Sequence, residues 1–116
     1  MNISYDGRTF KPVSNSETGE VGDETLFRYH QKGDVVWAEY SGGQIRFGTL
    51  IAKLLGDGSL DMRYQHINAN AELMTGTCLS TPELLPDGRL RLHEKWQWTS
   101  GDRSSGESVI EEIFAK

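Results

Sequence analysis

The stretch LRLHEKWQWT, which contains Glu94, places a carboxylate among residues that belong in a protein core. Its side chains alternate between the two faces of an extended strand, and the apolar face consists of Leu90, Leu92, Trp96 and Trp98. Glu94 falls on that apolar face, where burial would raise the pKa of its carboxyl group. Glu94 is therefore a candidate ligand-binding group, or a candidate general acid or base.

A structural role for Glu94 is the alternative. Its partner would be Lys53, which falls on the same predicted face, or Thr81 and the first strand. The two interpretations carry similar weight, because a buried carboxylate needs a partner in either case.

His66 is the second candidate, because it shares a predicted strand face with Tyr64 and is predicted to pair with Thr49. An imidazole at this position would bind a ligand or act as a general base. The structural alternative is a histidine at the rim that forms a hydrogen bond with Thr49. The predicted ligand-binding set is Tyr40, Tyr64, His66, Glu94, Trp96 and Trp98, and the catalytic candidates are Glu94 and His66.

Eight strands are needed to position these side chains. Runs rich in β-branched and aromatic residues alternate with turn signals such as Lys32-Gly33, Gly42-Gly43, Asp57-Gly58 and Asp87-Gly88. No internal helix is predicted. The predicted strands span residues 3–13, 24–31, 34–41, 44–55, 59–68, 72–85, 89–100 and 104–114. A meander of this kind predicts an all-β fold, an eight-stranded antiparallel up-and-down barrel, in a single domain over residues 1–116. A sandwich of two sheets is the weaker alternative.

Two-residue turns fix the register, so the inward face can be followed from strand to strand. This register pairs Tyr40 with Ile45 and sets Glu39 across from Arg46 as an exposed ion pair. On the fourth and sixth strands the predicted inward residues include Ile45, Phe47, Thr49, Ile51, Thr75, Thr77 and Leu79. The predicted outward residues include Trp37, Leu50, Leu54, Met74 and Cys78.

The two ends of this barrel differ in chemistry. At one end the nearest inward residues are leucines, which predict a plugged end; they are Leu55, Leu60, Leu85, Leu90 and Leu92. The other end carries the polar loops 14–23 and 100–106 above the aromatic residues of the candidate site. A barrel of this size can hold one small ligand, so this end is predicted to be open.

Composition narrows the classes of function. The chain has 116 residues, a net charge of −5 and one cysteine. The scattered basic residues argue against a nucleic-acid or membrane-surface protein, and the lone cysteine gives no sign of an oxidising compartment. We expect a cytoplasmic protein without a signal peptide or a membrane-spanning segment.

The segments DVVWAEYSGGQIRFGTLIAK and RLHEKWQWTSGDRSSG resemble a family of small bacterial proteins described as avidin-like barrels. The resemblance covers nearly the whole chain. Members of that family often carry the automated label N-acetylglutamate synthase, but the resemblance implies no established catalytic residues. An acetyltransferase of the usual kind needs a glycine-rich loop that opens a helix, whereas SGGQIRFG lies between two predicted strands.

Three functional hypotheses follow. The first is a non-enzymatic barrel that binds a small, partly apolar ligand at the open end without a cofactor. The second is an enzyme that uses Glu94 and His66, and the third is a structural or interaction module with a filled barrel. A metal site and a Cys78 nucleophile are not expected, since His30 and His93 face outward and Cys78 has no base beside it. A homo-oligomer would form through the outward residues Trp37, Leu50 and Met74.

Overall fold

The computed structural model describes residues 3–16 and 19–114. Eight antiparallel strands form a closed barrel in which each strand pairs with its neighbours in the sequence and the last strand pairs with the first. The strands are β1 (Thr9–Asn15), β2 (Leu26–Lys32), β3 (Val35–Gly42), β4 (Ile45–Leu54), β5 (Leu60–Asn68), β6 (Leu73–Leu84), β7 (Leu90–Trp98) and β8 (Ser105–Ile113). The predicted all-β, eight-stranded up-and-down barrel is confirmed.

The alternation of β7 is reproduced in its burial. Leu90, Leu92, Glu94, Trp96 and Trp98 are buried, and the residues between them are exposed or half-buried. This alternation allows β7 to bury one face in the barrel while the other stays in water. Predicted faces are also correct on β2, β3 and β5.

The predicted faces of β4 and β6 are wrong. Six residues predicted to point inward are exposed or half-buried and point outward: Phe47, Thr49, Ile51, Thr75, Thr77 and Leu79. Leu50 and Cys78, which were predicted to face outward, are buried inside the barrel.

A different turn chemistry explains the reversal on β6. Gly58 N donates to Leu55 O and Gly88 N donates to Leu85 O, both at 3.0 Å, and both glycines have positive φ. A tight turn followed by a left-handed residue adds one residue to the two-residue hairpin that the sequence predicts, and one residue reverses a face. Ala71, with a φ of 63°, has the same position after Asn68.

On β4 the reversal comes from a β-bulge after Ile45, which faces inward as predicted; the register shifts between Tyr40 and Gly42 on β3 and between Ile45 and Phe47 on β4. Gly42 has a φ of 120°, and Tyr40 pairs with Gly48 instead of Ile45. The shift on entering β4 is cancelled on entering β5, and the shift on entering β6 is cancelled on entering β7. For this reason the errors are confined to two strands.

Several predicted contacts change with the register. Lys53 is exposed and cannot reach Glu94, and Thr81 is also exposed. Glu39 lies across from Thr49, not Arg46, and its carboxylate contacts His30 Nε2 at 2.9 Å.

The predicted plugged end is closed, and residues before the first strand help the leucines to close it. Leu60, Leu85, Leu90 and Leu92 are buried, whereas Leu55 is 37% exposed, contrary to prediction. The first strand starts at Thr9, not at residue 3, and the segment before it crosses this end of the barrel.

Tyr5 holds that segment in place. It is fully buried, its hydroxyl donates to Gly58 O at 2.6 Å, and its backbone N–H donates to Gln31 Oε1 at 2.8 Å. Glu112, also buried, accepts hydrogen bonds from Arg8 and from Leu90 N. The N-terminal segment and the leucines together close one end.

Within the described part of the chain, no helix has the length and apolar character needed to cross a membrane.

Truncation of Leu92 tests this closed end. Leu92 is fully buried, so Leu92→Ala is expected to lower the free energy of unfolding by about 2–5 kcal/mol. Leu84, 61% exposed, is the matched control, and Leu84→Ala is expected to change that free energy by less than about 0.5 kcal/mol. Chemical denaturation measures both variants, and equal losses in the two would contradict the packing described here.

Candidate functional site

A cavity of about 50 Å³ lies inside the barrel near the end opposite Tyr5. Residues 19–21, between β1 and β2, lie at its mouth, and side chains from all eight strands form its walls. The lining residues are Asn15, Gly19, Glu20, Val21, Phe27, Tyr40, Leu50, Met62, Tyr64, His66, Cys78, Glu94, Trp96, Trp98 and Ser108.

All six residues of the predicted ligand-binding set line this cavity: Tyr40, Tyr64, His66, Glu94, Trp96 and Trp98. Five of them are buried and Tyr64 is half-buried. The ring centroid of Trp98 lies 5.6 Å from that of Trp96 and 5.7 Å from those of Tyr64 and His66, in edge-on or tilted arrangements. The structure therefore brings the predicted residues together in one aromatic cluster.

Glycines directly opposite three of the aromatic residues make room for this cluster. Tyr40 pairs with Gly48, Tyr64 with Gly76, and Trp96 with Gly106. A Cβ on Gly48 would lie 2.5 Å from the Tyr40 ring, and a Cβ on Gly106 would lie 2.6 Å from the Trp96 ring. Each ring thus lies against a neighbouring strand at a point where no side chain fits.

Glu94 is buried in the cavity wall, and within residues 3–16 and 19–114 its side chain has one hydrogen-bond partner, a serine hydroxyl. Ser108 Oγ donates to Glu94 Oε1 at 3.4 Å, a long hydrogen bond. Ser80 lies directly across the strand pair, but its hydroxyl does not reach hydrogen-bonding geometry. Burial raises the pKa of Glu94 to about 7, an effect that the Ser80 and Ser108 hydroxyls only partly offset.

The surroundings of Glu94 contain further unsatisfied polar atoms. Ser80 Oγ and Tyr29 Oη are buried and have no hydrogen-bond partner among residues 3–16 and 19–114. Burial raises the pKa of Tyr29, and the charge of Glu94 raises it further. Buried hydroxyls without partners are costly, so the polar groups of this part of the barrel are poorly satisfied by the described chain.

His66 is held by a chain of hydrogen bonds at the other side of the cavity. Its Nδ1 lies 2.9 Å from Tyr40 Oη, and its Nε2 lies 2.8 Å from Glu20 Oε1. Asn68 Nδ2 donates to the second oxygen of Glu20 at 3.0 Å. Thr49, the partner predicted for His66, points outward and accepts a hydrogen bond from Gln65, and Gly48 takes its place beside His66.

The sequence did not reveal Glu20, Asn68, Ser80 or Ser108 as site residues. Glu20 comes from a polar loop, and nothing local indicates that this loop reaches across the mouth of the barrel. Ser80 and Ser108 can be assigned to the cavity only when the register of β6 and the inward face of β8 are known. An Asn at the end of a strand, directly before a turn, was the available signal for Asn68.

Cys78 is buried in the cavity wall, not outward as predicted. Burial raises the pKa of its thiol well above the ordinary range, so the reactive thiolate is strongly disfavoured. Among the residues that the structure describes, no three His, Cys, Asp or Glu side chains are grouped so as to hold a metal ion.

One residue of the predicted oligomer surface, Leu50, is not on the surface. Leu50 is only 4% exposed and lines the cavity, so it cannot contact another chain. Trp37 is 37% exposed and stacks on His30, and Met74 is half-buried against the core.

Comparison with known proteins agrees with this architecture. A family model described as avidin-like protein matches residues 3–113. The chain belongs to the avidin-like family. No curated protein and no solved structure shows significant similarity to it. The resemblance inferred from the sequence is thereby confirmed at the level of the family.

Glu94 makes the stability of this avidin-like barrel depend on pH. Its carboxyl group has a pKa of about 7 in the folded chain and an ordinary value near 4.5 when unfolded. Between these values the folded state holds the proton while the unfolded state releases it. The free energy of unfolding therefore falls as the pH rises from about 4.5 to about 7.

Replacement of Glu94 by Gln removes this effect. We expect Glu94→Gln to match the wild type near pH 4 and to exceed it at pH 8 by at most about 3 kcal/mol. Chemical denaturation at the two pH values measures the difference, with exposed Glu107→Gln as the matched control. A Glu94→Gln variant that is less stable than the wild type at pH 8 would contradict the prediction.

Proposed function

We propose that this chain is a non-enzymatic binding protein that takes a small, partly apolar ligand into the cavity at the end opposite Tyr5. The observation that carries the proposal is an incompletely hydrogen-bonded carboxylate, Glu94, in the wall of a cavity lined by aromatic side chains. Small-molecule sites combine mostly apolar walls with a few well-placed polar groups. Membership of an avidin-like family is consistent with such a site.

Each wall has a separate part in the proposed binding. Trp96, Trp98 and Tyr40 offer flat apolar surfaces to the body of the ligand. Glu94 and Ser108 offer acceptors to an N–H or O–H group at its inner end. Such a donor would complete the hydrogen bonding of a buried carboxylate, which is where the gain in free energy is largest.

The volume of the cavity sets a limit on the ligand. About 50 Å³ admits a few ordered waters or a very small molecule, whereas typical ligand pockets measure about 300–1,000 Å³. A larger ligand has to displace Glu20 and Val21, the loop residues that cover the cavity. The same small volume favours the alternative of a barrel filled by its own side chains.

A screen by tryptophan fluorescence distinguishes these two functions. Small acids, acyl compounds and small aromatics are added to the protein, and both the emission and the melting temperature are followed. Binding beside Trp96 and Trp98 is expected to shift the emission and raise the melting temperature. If no compound changes either quantity, the filled barrel is the correct interpretation.

Two variants then locate the bound ligand. Trp98→Ala removes an aromatic wall of the cavity and is expected to weaken binding about tenfold or more. Leu92→Ala, at the closed end, is expected to lower stability while leaving affinity within about threefold of the wild type. Fluorescence titration of both folded variants measures the affinities. If Leu92→Ala weakens binding and Trp98→Ala does not, the ligand binds at the closed end and the proposed location is wrong.

An enzyme is the second candidate because Glu94 is buried in the cavity wall, where burial raises its pKa to about 7. A carboxyl group that titrates near neutral pH can both accept and donate a proton during a reaction. His66 or Tyr40 would polarise the substrate in such a mechanism. An NMR titration that gives Glu94 an ordinary acidic pKa would remove the reason for considering an enzyme.

A further inference from the structure

Glu20 occupies a two-donor site at the mouth of the barrel. Its Oε1 lies 2.8 Å from His66 Nε2, and its Oε2 lies 3.0 Å from Asn68 Nδ2. His66 and Asn68 are each 3% exposed, whereas the Glu20 side chain is 25% exposed. A carboxylate from a surface loop is therefore bound by two buried donors that belong to β5.

The donor at His66 is fixed in both protonation states. A lone pair on Nε2 would face the Glu20 carboxylate, so in the neutral ring the proton is assigned to Nε2, and Nδ1 accepts a hydrogen bond from Tyr40. In the charged ring Nδ1 donates to Tyr40 Oη, and Tyr40 can donate in turn to Gln65 O, 3.4 Å away. In both states His66 Nε2 presents a hydrogen to the mouth of the barrel.

The donor at Asn68 is fixed by the backbone. Asn68 Oδ1 accepts the N–H groups of Asn70 and Glu72, both at 3.0 Å. The amide nitrogen must then face the opposite way, toward Glu20 and the Glu72 carboxylate. Two prearranged donors side by side match the two oxygens of a carboxylate.

Glu20 lines the mouth of the cavity, and we expect an entering ligand to move it. A ligand without an acceptor at this point would leave two buried donors with one acceptor fewer each, at a cost in free energy. A ligand that brings its own carboxylate would replace both acceptor oxygens that it removes. Two donors side by side therefore favour a carboxylate at the outer end of the ligand over a group with a single acceptor oxygen.

We propose that the His66 and Asn68 donors form a carboxylate subsite, filled by Glu20 in the free protein and by the carboxylate of a small acid in the bound protein. The inference rests on the proposed binding function and specifies its ligand class as a short carboxylic acid with an apolar tail. The tail would extend between Trp98 and Tyr40 toward Leu50. The carboxylate stays at the mouth, at the opposite side of the cavity from Glu94.

Chemical rescue of a Glu20→Ala variant tests the subsite. This change removes the acceptor, and we expect a lower melting temperature that sodium acetate restores in a saturable way. Acetamide, and sodium chloride at equal ionic strength, are expected to have no such effect. Glu24→Ala is the matched control, because Glu24 is exposed in the same loop and its loss changes the charge equally.

Affinity for hexanoate provides the second measurement. We expect Glu20→Ala to bind hexanoate at least tenfold more tightly than the wild type, because the internal competitor is gone, and at least tenfold more tightly than it binds hexanamide. Glu24→Ala is expected to bind hexanoate as the wild type does. Should Glu20→Ala fail to fold, Glu20→Ser serves in the same titrations, since it also removes the carboxylate and vacates the site.

The outcomes separate this inference from the proposed function. If neutral compounds bind beside the tryptophans but neither acetate rescue nor preference for hexanoate is found, the carboxylate subsite is overturned and the binding function stands. If acetate rescues Glu20→Ala but no compound changes the tryptophan emission of any variant, the subsite stands and the interior binding function is overturned. If acetate and chloride act equally, the rescue is an effect of ionic strength and the subsite is overturned.

Discussion

The interior of this barrel depends on the pairing of large aromatic side chains with glycines on the next strand. An eight-stranded barrel has room for little more than its own side chains. Tyr40 and Trp96 lie against Gly48 and Gly106, where any Cβ would overlap their rings. Because the rings lie against the wall and not across the barrel, a cavity remains beside Glu94.

The sequence predicts this architecture better than its details. Alternation and turn signals predicted eight strands and a closed meander, because these patterns reflect burial on one face, which acts locally. The face of β4 was wrong because a β-bulge adds one residue after Ile45, and that of β6 was wrong because left-handed Ala71 adds one residue to the turn before it. The sequence Asp-Gly is compatible with both turn lengths, so composition alone could not decide between them.

The candidate site shows the same division. Residues on strands with a clear alternation, such as Glu94 and Trp98, were predicted and do line the cavity. Glu20 and His66, which contact each other, are 46 residues apart in the sequence. Their contact depends on the path of a polar loop, and no periodic pattern encodes that path. Ser80 and Ser108 required a correct register for two strands at once.

The two carboxylates of the cavity have opposite energetic roles. Glu20 is well satisfied by His66 and Asn68, so its displacement costs free energy, and a ligand has to replace what is lost. Glu94 is poorly satisfied, so a hydrogen-bond donor placed beside it yields a net gain. In the proposed site, the mouth of the barrel would therefore discriminate between ligands without contributing much affinity, because it exchanges one acceptor for another. Affinity would come from the aromatic walls and from the completion of hydrogen bonds around Glu94.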